Sequence, residues 1–170
     1  MAILTAYFSR PGENYGSGGL VELAKGNTEM VAEFVQHAVG GDLFRIETVE
    51  DYPTGYYDCC DVAKAELQEG TRPALANNLE SLDDYDTIFL GYPCWWGTCP
   101  MAVFTFLDSF DLSGKRIIPF CTHEGSGMGG SERHLAKDYP AATIERGLAI
   151  AGHNAANSES QVTSWAKSFV

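Results

Sequence analysis

Three short stretches of this 170-residue chain carry residue types that could do chemistry. The first is Gly26-Asn27-Thr28, just ahead of an amphipathic run and downstream of Ser9-Arg10. Backbone N–H groups at a helix start have no partner inside the helix, and with the helix dipole they suit a phosphate. The hydroxyls of Ser9 and Thr28 and the amide of Asn27 would add hydrogen bonds, and Arg10 would neutralise charge. Alone, the stretch reads more readily as a plain N-cap on a flexible loop than as a phosphate site. The second is Gly91-Tyr92-Pro93-Cys94-Trp95-Trp96-Gly97-Thr98-Cys99-Pro100, with two adjacent indoles between Pro and Gly. A flat heteroaromatic ligand would stack on them; a pair of core tryptophans closing a sheet is the alternative. The third runs Thr122-His123-Glu124-Gly125-Ser126-Gly127-Met128-Gly129-Gly130. Its glycines let backbone groups approach a ligand closely, or form a mobile surface turn.

Other constellations are weaker. No Gly-x4-Gly-Lys-Ser/Thr string occurs, and no Gly-x-Gly-x-x-Gly follows the first apolar run, which argues against nucleoside triphosphate chemistry. Cys94, Cys99, Cys121 and His123 match no usual zinc spacing, so no metal is expected. Ser126 lacks the Gly-x-Ser-x-Gly elbow of a hydrolase. The places where a phospho-acceptor receiver needs acidic residues hold Ser9-Arg10 and Pro93-Cys94.

Composition narrows the field further. At 45% hydrophobic and 20% charged the chain is a folding one. Its 11 basic and 23 acidic residues give a net charge of −12, which argues against nucleic acid or anionic lipid as ligand and fits a partner with a basic docking face. Apolar runs such as Met101–Leu107 fall far short of a membrane span. An opening Met1–Phe8 without a basic leader, and five cysteines with one adjacent pair, predict reduced thiols in a cytoplasm.

The elements that must position the three stretches alternate along the chain. Apolar runs at Ala2–Phe8, Leu43–Ile46, Thr87–Gly91, Arg116–Cys121 and Thr143–Ile150 read as strands. Helical periodicity marks Asn27–Val39, Asp58–Glu69, a run from Pro100 through Phe110, and Ser131–Lys137. A last helix is announced by the capping-box pattern Ser158-Glu159-Ser160-Gln161, with Val162, Trp165, Ala166 and Phe169 inward. The pattern predicts one domain over residues 1–170: α/β, a doubly wound five-stranded parallel sheet. Ligands in such sheets sit beyond the carboxyl ends of the strands. The three stretches follow the first, third and fourth strands, so they converge on one end, as a phosphorylated planar cofactor requires.

With Phe8-Ser9-Arg10, Gly26-Asn27-Thr28, Gly91-Tyr92-Pro93-x-Trp95-Trp96-Gly97 and Pro119-Phe120-x-Thr122-His123-x-Gly125-Ser126-Gly127, the chain resembles the flavodoxin-like proteins over nearly all its length. The likeness is to a bacterial branch with a long first loop. It implies strand order 2-1-3-4-5 and one non-covalent FMN. By the same resemblance Ser9, Arg10, Gly26, Asn27 and Thr28 hold the phosphate. Pro93, Cys94, Trp95, Trp96 and Gly97 flank one side of the isoalloxazine, with Gly97 allowing a peptide flip toward it. Thr122, His123, Glu124, Gly125, Ser126 and Gly127 line the other edge. Two departures stand out. Arg10–Lys25, rich in Gly and containing Tyr15, interrupts the phosphate motif and reads as a surface excursion rather than a cover. The third loop lacks a tyrosine common in those proteins, with His123 near its place, which leaves a flavin face open. The resemblance implies an electron carrier between redox partner proteins. An NAD(P)H-dependent reductase of quinone-like acceptors and a flavin-free interaction module are the alternatives.

Overall fold

Strands that are apolar on both faces end up in the middle of the sheet. In the computed structural model, which describes residues 2–170, Ala2–Tyr7 (β1) opens the chain with Leu4, Thr5 and Ala6 fully buried. Tyr85–Pro93 (β5) and Arg116–His123 (β6) are the other central strands. Asp42–Arg45 (β4) lies outside β1, and Thr143–Ile144 (β7) and Leu148–Ala151 (β8) both lie on β6. The order is β4-β1-β5-β6-β7, with every pairing parallel. Counted without the inserted hairpin described below, this is the expected 2-1-3-4-5 order.

Side chains alternate between the faces of a strand, and the alternation builds two cores. Tyr7, Phe89, Ile118 and Phe120 pack under Asn27–Val39 (α1) and Glu159–Lys167 (α5) through Val31, Val35, Val162 and Ala166. Leu4, Ala6, Ile88, Leu90 and Ile117 face Met101–Asp108 (α3) and Ser131–Asp138 (α4) through Val103, Phe106, Leu107 and Leu135. Tyr56–Glu69 (α2) runs beside α3.

Three details differ from the reading of the sequence. Arg10–Lys25 is not a bare excursion: Gly12–Gly16 (β2) and Gly19–Leu23 (β3) pair as an antiparallel hairpin. The first strand is polar, and the second carries Leu20, Val21 and Leu23 but leaves Leu20 and Val21 exposed, so neither reads as a buried strand of the sheet. The fifth strand is split at Glu145–Gly147, where Gly147 lies so close to Pro119 that a Cβ would sit 2.5 Å from the Pro119 carbonyl oxygen. The capping box does not form. A 3-10 helix, Gly152–Asn157, runs straight into α5, so Ser158 has near-helical φ and ψ of −94° and −1° and its Oγ donates back to the Ala155 carbonyl at 2.7 Å.

Candidate cofactor site

The anion-binding end is built where β1 hands the chain to α1. Gly26 precedes the helix with no side chain to cap it. A Cβ there would lie 2.1 Å from Ser9 Oγ and 3.1 Å from the Arg10 backbone nitrogen, so only glycine lets the two segments touch. Ser9 Oγ accepts the Glu29 N–H at 3.1 Å, and Thr28 Oγ1 meets Thr122 Oγ1 at 2.8 Å in a buried contact that ties the first loop to the third. Among the described residues the N–H groups of Asn27 and Thr28 find no acceptor. Two such donors at the positive end of a helix dipole fit a phosphate. Arg10 adds positive charge, but its guanidinium is engaged with main chain: it donates to the carbonyls of Glu13, Pro53 and Thr54, the last two at 2.9 Å.

The aromatic end is a tight turn. Trp95 and Thr98 exchange N–H···O bonds of 2.9 and 3.1 Å, and Trp96 and Gly97 between them have φ of 53° and 78°. Positive φ at both central positions defines a type I′ turn. The two indoles part company. Trp95 packs edge-on against Phe8 and Tyr52, with ring centroids 5.2 and 5.1 Å away, and is partly core. Trp96 is 51% exposed and donates its indole N–H to the Cys60 carbonyl at 3.0 Å. The Gly97 carbonyl accepts the Gly130 N–H at 2.7 Å, and a Cβ on Gly129 would sit 2.5 Å from that same oxygen. The peptide between Gly97 and Thr98 is therefore held at both its C=O and its N–H. Turning over the Trp96–Gly97 peptide instead would drive Trp96 into a region that essentially only glycine visits. The turn resists the flip that Gly97 suggests.

The third loop closes the far side. His123 Nδ1 accepts the Gly125 N–H at 2.9 Å, which leaves Nε2 to carry the proton of the neutral ring. Burial holds the His123 pKa below the ordinary histidine value; Glu124 pulls it up and His153 pushes it down. The Glu124 carboxylate takes the His153 N–H at 2.9 Å and contacts its Nδ1 at 2.7 Å. Gly152 stands between these groups, where a Cβ would fall 2.6 Å from Asn27 Nδ2 and 2.7 Å from Glu124 Oε1.

These elements enclose a cleft of about 280 Å³. Of the residues expected at the site, Arg10, Asn27, Pro93, Cys94, Trp95, Trp96, Thr122, His123 and Glu124 line it. Ser9, Gly26 and Thr28 are buried in the first loop, and Gly97 anchors the turn. Gly125 and Ser126 are exposed and, like Gly127, do not line the cleft. The cleft also takes in Asn14 and Tyr15 of the hairpin, Tyr56, Cys59, Cys60 and Ala63 of α2, and Gly152. The α2 residues fall at i, i+3, i+4 and i+7, one helical face, but nothing in the sequence sets that face beside the second loop. A wider hollow of about 830 Å³ beyond the hairpin is lined by Ser9, Arg10 and Arg45 together with Glu13, Glu22, Glu47 and Asp51, a net-acidic lining. Among the described residues no three His, Cys, Asp or Glu side chains gather as a metal site, and all five cysteines are free thiols.

The family profile for Flavodoxin matches residues 20–169. The chain belongs to the flavodoxin family. A Bacteroides uniformis protein assigned as a flavoprotein is 32% identical, covers 98% of this chain and 97% of its own, and superposes with a TM-score of 0.79. A second, from Bacteroides eggerthii, is 30% identical over 98% and 96% of the two chains, with a TM-score of 0.78. A Lactobacillus acidophilus flavoprotein in complex with FMN shares the fold at 20% identity over 92% and 97%, with a TM-score of 0.67. No curated protein matches significantly. The flavodoxin match begins inside the hairpin, so the places of Ser9, Arg10 and Tyr15 rest on geometry alone.

Proposed function

We propose that this flavodoxin-family chain holds one FMN non-covalently in the cleft and carries electrons between partner proteins. The observation that carries this reading is the meeting of two unpartnered N–H donors, on Asn27 and Thr28, with an indole turn in one cleft. FMN supplies the redox chemistry when bound, and the protein supplies position and surroundings. The α1 N-terminus binds the phosphate, with Arg10 adding charge at its edge. Pro93, Cys94 and Trp95 bound one side of the ring system, and Thr122, His123 and Glu124 the other. Neutral His123 presents its Nε2–H as a donor. The apolar walls limit water, and the Glu124–His153 pair keeps a carboxylate from standing alone beside the cofactor. Free thiols favour a cytoplasmic setting.

A net charge of −12 supports partners with a basic docking face. The second reading, a reductase of small quinone-like acceptors fed by NAD(P)H, is favoured by one observation: the cleft runs past the expected cofactor residues to Tyr15 and Tyr56. Titration with FMN, followed by quenching of flavin fluorescence, tests the cofactor; colourless protein that ignores added FMN returns the chain to an interaction module. NAD(P)H oxidation by the FMN-loaded protein then separates the readings. No turnover until a separate reductase is added supports the carrier, and fast turnover without one supports the enzyme.

A further inference from the structure

We propose that Trp95, Tyr52 and Glu66 form a one-electron relay that carries an electron vacancy from the cofactor cleft to the wall of the neighbouring hollow. Its use rests on FMN filling the cleft; the relay itself is a property of the chain.

Trp95 lines the cleft, whereas Tyr52 lines the hollow. Their rings meet edge-on, with centroids 5.1 Å apart and planes at 78°. Phe8 stands edge-on to both, at 5.2 and 5.9 Å, and packs them together. Behind Tyr52 lies a base: its hydroxyl donates to Glu66 Oε1 on α2 at 2.7 Å. Burial holds the Tyr52 phenol above the ordinary tyrosine range, so it stays neutral. Burial also raises the Glu66 carboxyl above its ordinary value, against the hydrogen bond from Tyr52. A more basic carboxylate is a better proton acceptor.

The pairing is selective. Among the described residues this is the one ring contact between a Trp and a Tyr. Trp96 gives its indole N–H to the Cys60 carbonyl, a poor base. Trp165 touches Phe89, Phe120 and Phe169, whose rings resist oxidation.

An electron drawn from Trp95 by a one-electron oxidant in the cleft, the class that includes a light-excited flavin, leaves an indole radical cation. Tyr52 returns one electron to Trp95 and passes its phenolic proton along the hydrogen bond to Glu66. Trp95 is restored, and the products are a neutral phenoxyl and a neutral carboxylic acid, so charge balances. The vacancy then sits at the hollow, away from the cofactor. There a soluble one-electron reductant refills it as Glu66 gives the proton back. The relay thus spares the cleft from oxidative damage.

Pulse radiolysis of the full chain with azide radicals, which take one electron from indoles, tests the relay. A background of Trp96→Phe and Trp165→Phe leaves Trp95 as the sole indole of the three. The indole-radical band should decay as the phenoxyl band rises, at one shared rate. Tyr52→Phe should remove that rise and prolong the indole radical. Glu66→Gln, which keeps a hydrogen-bond acceptor but no base, should slow the transfer at least about tenfold. If the background does not fold, the same comparison is made with all three indoles present, as the share of indole radical that converts. Equal indole lifetimes with and without the Tyr52 hydroxyl overturn the relay, and wild-type rates in Glu66→Gln overturn the part given to Glu66. Illumination of FMN-loaded protein tests the use: bound flavin should bleach faster in Tyr52→Phe, and equal bleaching overturns the protective role. If the wild type takes up no FMN, the cofactor reading falls while the azide kinetics still decide the relay.

Discussion

Gly26 and Thr28 act through what surrounds them rather than through any reactive group of their own. A methyl on Gly26 has no room between Ser9 Oγ and the Arg10 backbone. Gly26→Ala should therefore push the first loop away from α1 and weaken FMN by roughly tenfold or more, read by fluorescence titration. Thr28→Val strands the buried Thr122 hydroxyl without its 2.8 Å partner. An orphaned buried polar group costs about 1–3 kcal/mol, which urea denaturation of the apo protein would show. His123 gives a pH signature. Burial holds its folded pKa below the ordinary histidine value near 6.5, so the unfolded chain takes up the proton first. Stability is then unaffected by this group above the ordinary histidine range and falls as pH drops through that range toward the folded pKa. His123→Gln should remove that part of the slope in a series of melts between pH 5 and 8.

Among the elements, the hairpin and α2 depend on each other. Gly55 leaves α2 without a side-chain cap from its own N-cap residue, and Glu13 supplies one from the hairpin by accepting the Tyr56 N–H. Glu13→Ala should cost about 1 kcal/mol, as loss of an N-terminal cap does, while Glu13→Gln keeps most of it; chemical denaturation of the two variants separates cap from charge. This partnership explains what the sequence did not reveal. The strands that make the sheet centre announce themselves because each is apolar on both faces, and the loops after them hold the Gly, Trp and His residues that drew attention to the site. The hairpin has no such signature, because Gly12-Glu13-Asn14-Tyr15-Gly16 is held by a few hydrogen bonds and not by a buried stripe. The Ser158 motif failed for the opposite reason: the local pattern was sound, but a preceding helical turn left no extended residue to act as cap.

For the whole molecule, the two-layer covering of the sheet and its strand order were legible, since alternating strands and helices leave few alternatives. The site was legible only as far as it lies at strand ends; the contribution of α2 is a tertiary fact. Charge also belongs at this scale. With 23 acidic against 11 basic side chains, association with a basic redox partner of the kind proposed above should be steered by the long-range field. Its on-rate should fall roughly tenfold or more between low and physiological salt, whereas FMN affinity, set by short contacts, should change far less. Stopped-flow mixing at a series of ionic strengths makes the comparison.

The break at Glu145–Gly147 also bears on how copies of the chain behave in a crowd. A long open border of strand would offer a ladder of unmatched amide groups to any neighbour. On this side the border consists of a two-residue piece and a four-residue piece, interrupted by Gly147 pressed against Pro119 and followed at once by a helical turn. The opposite border, Asp42–Arg45, is only four residues long. Neither side gives a second molecule enough register to zip onto, so the sheet stops where it does.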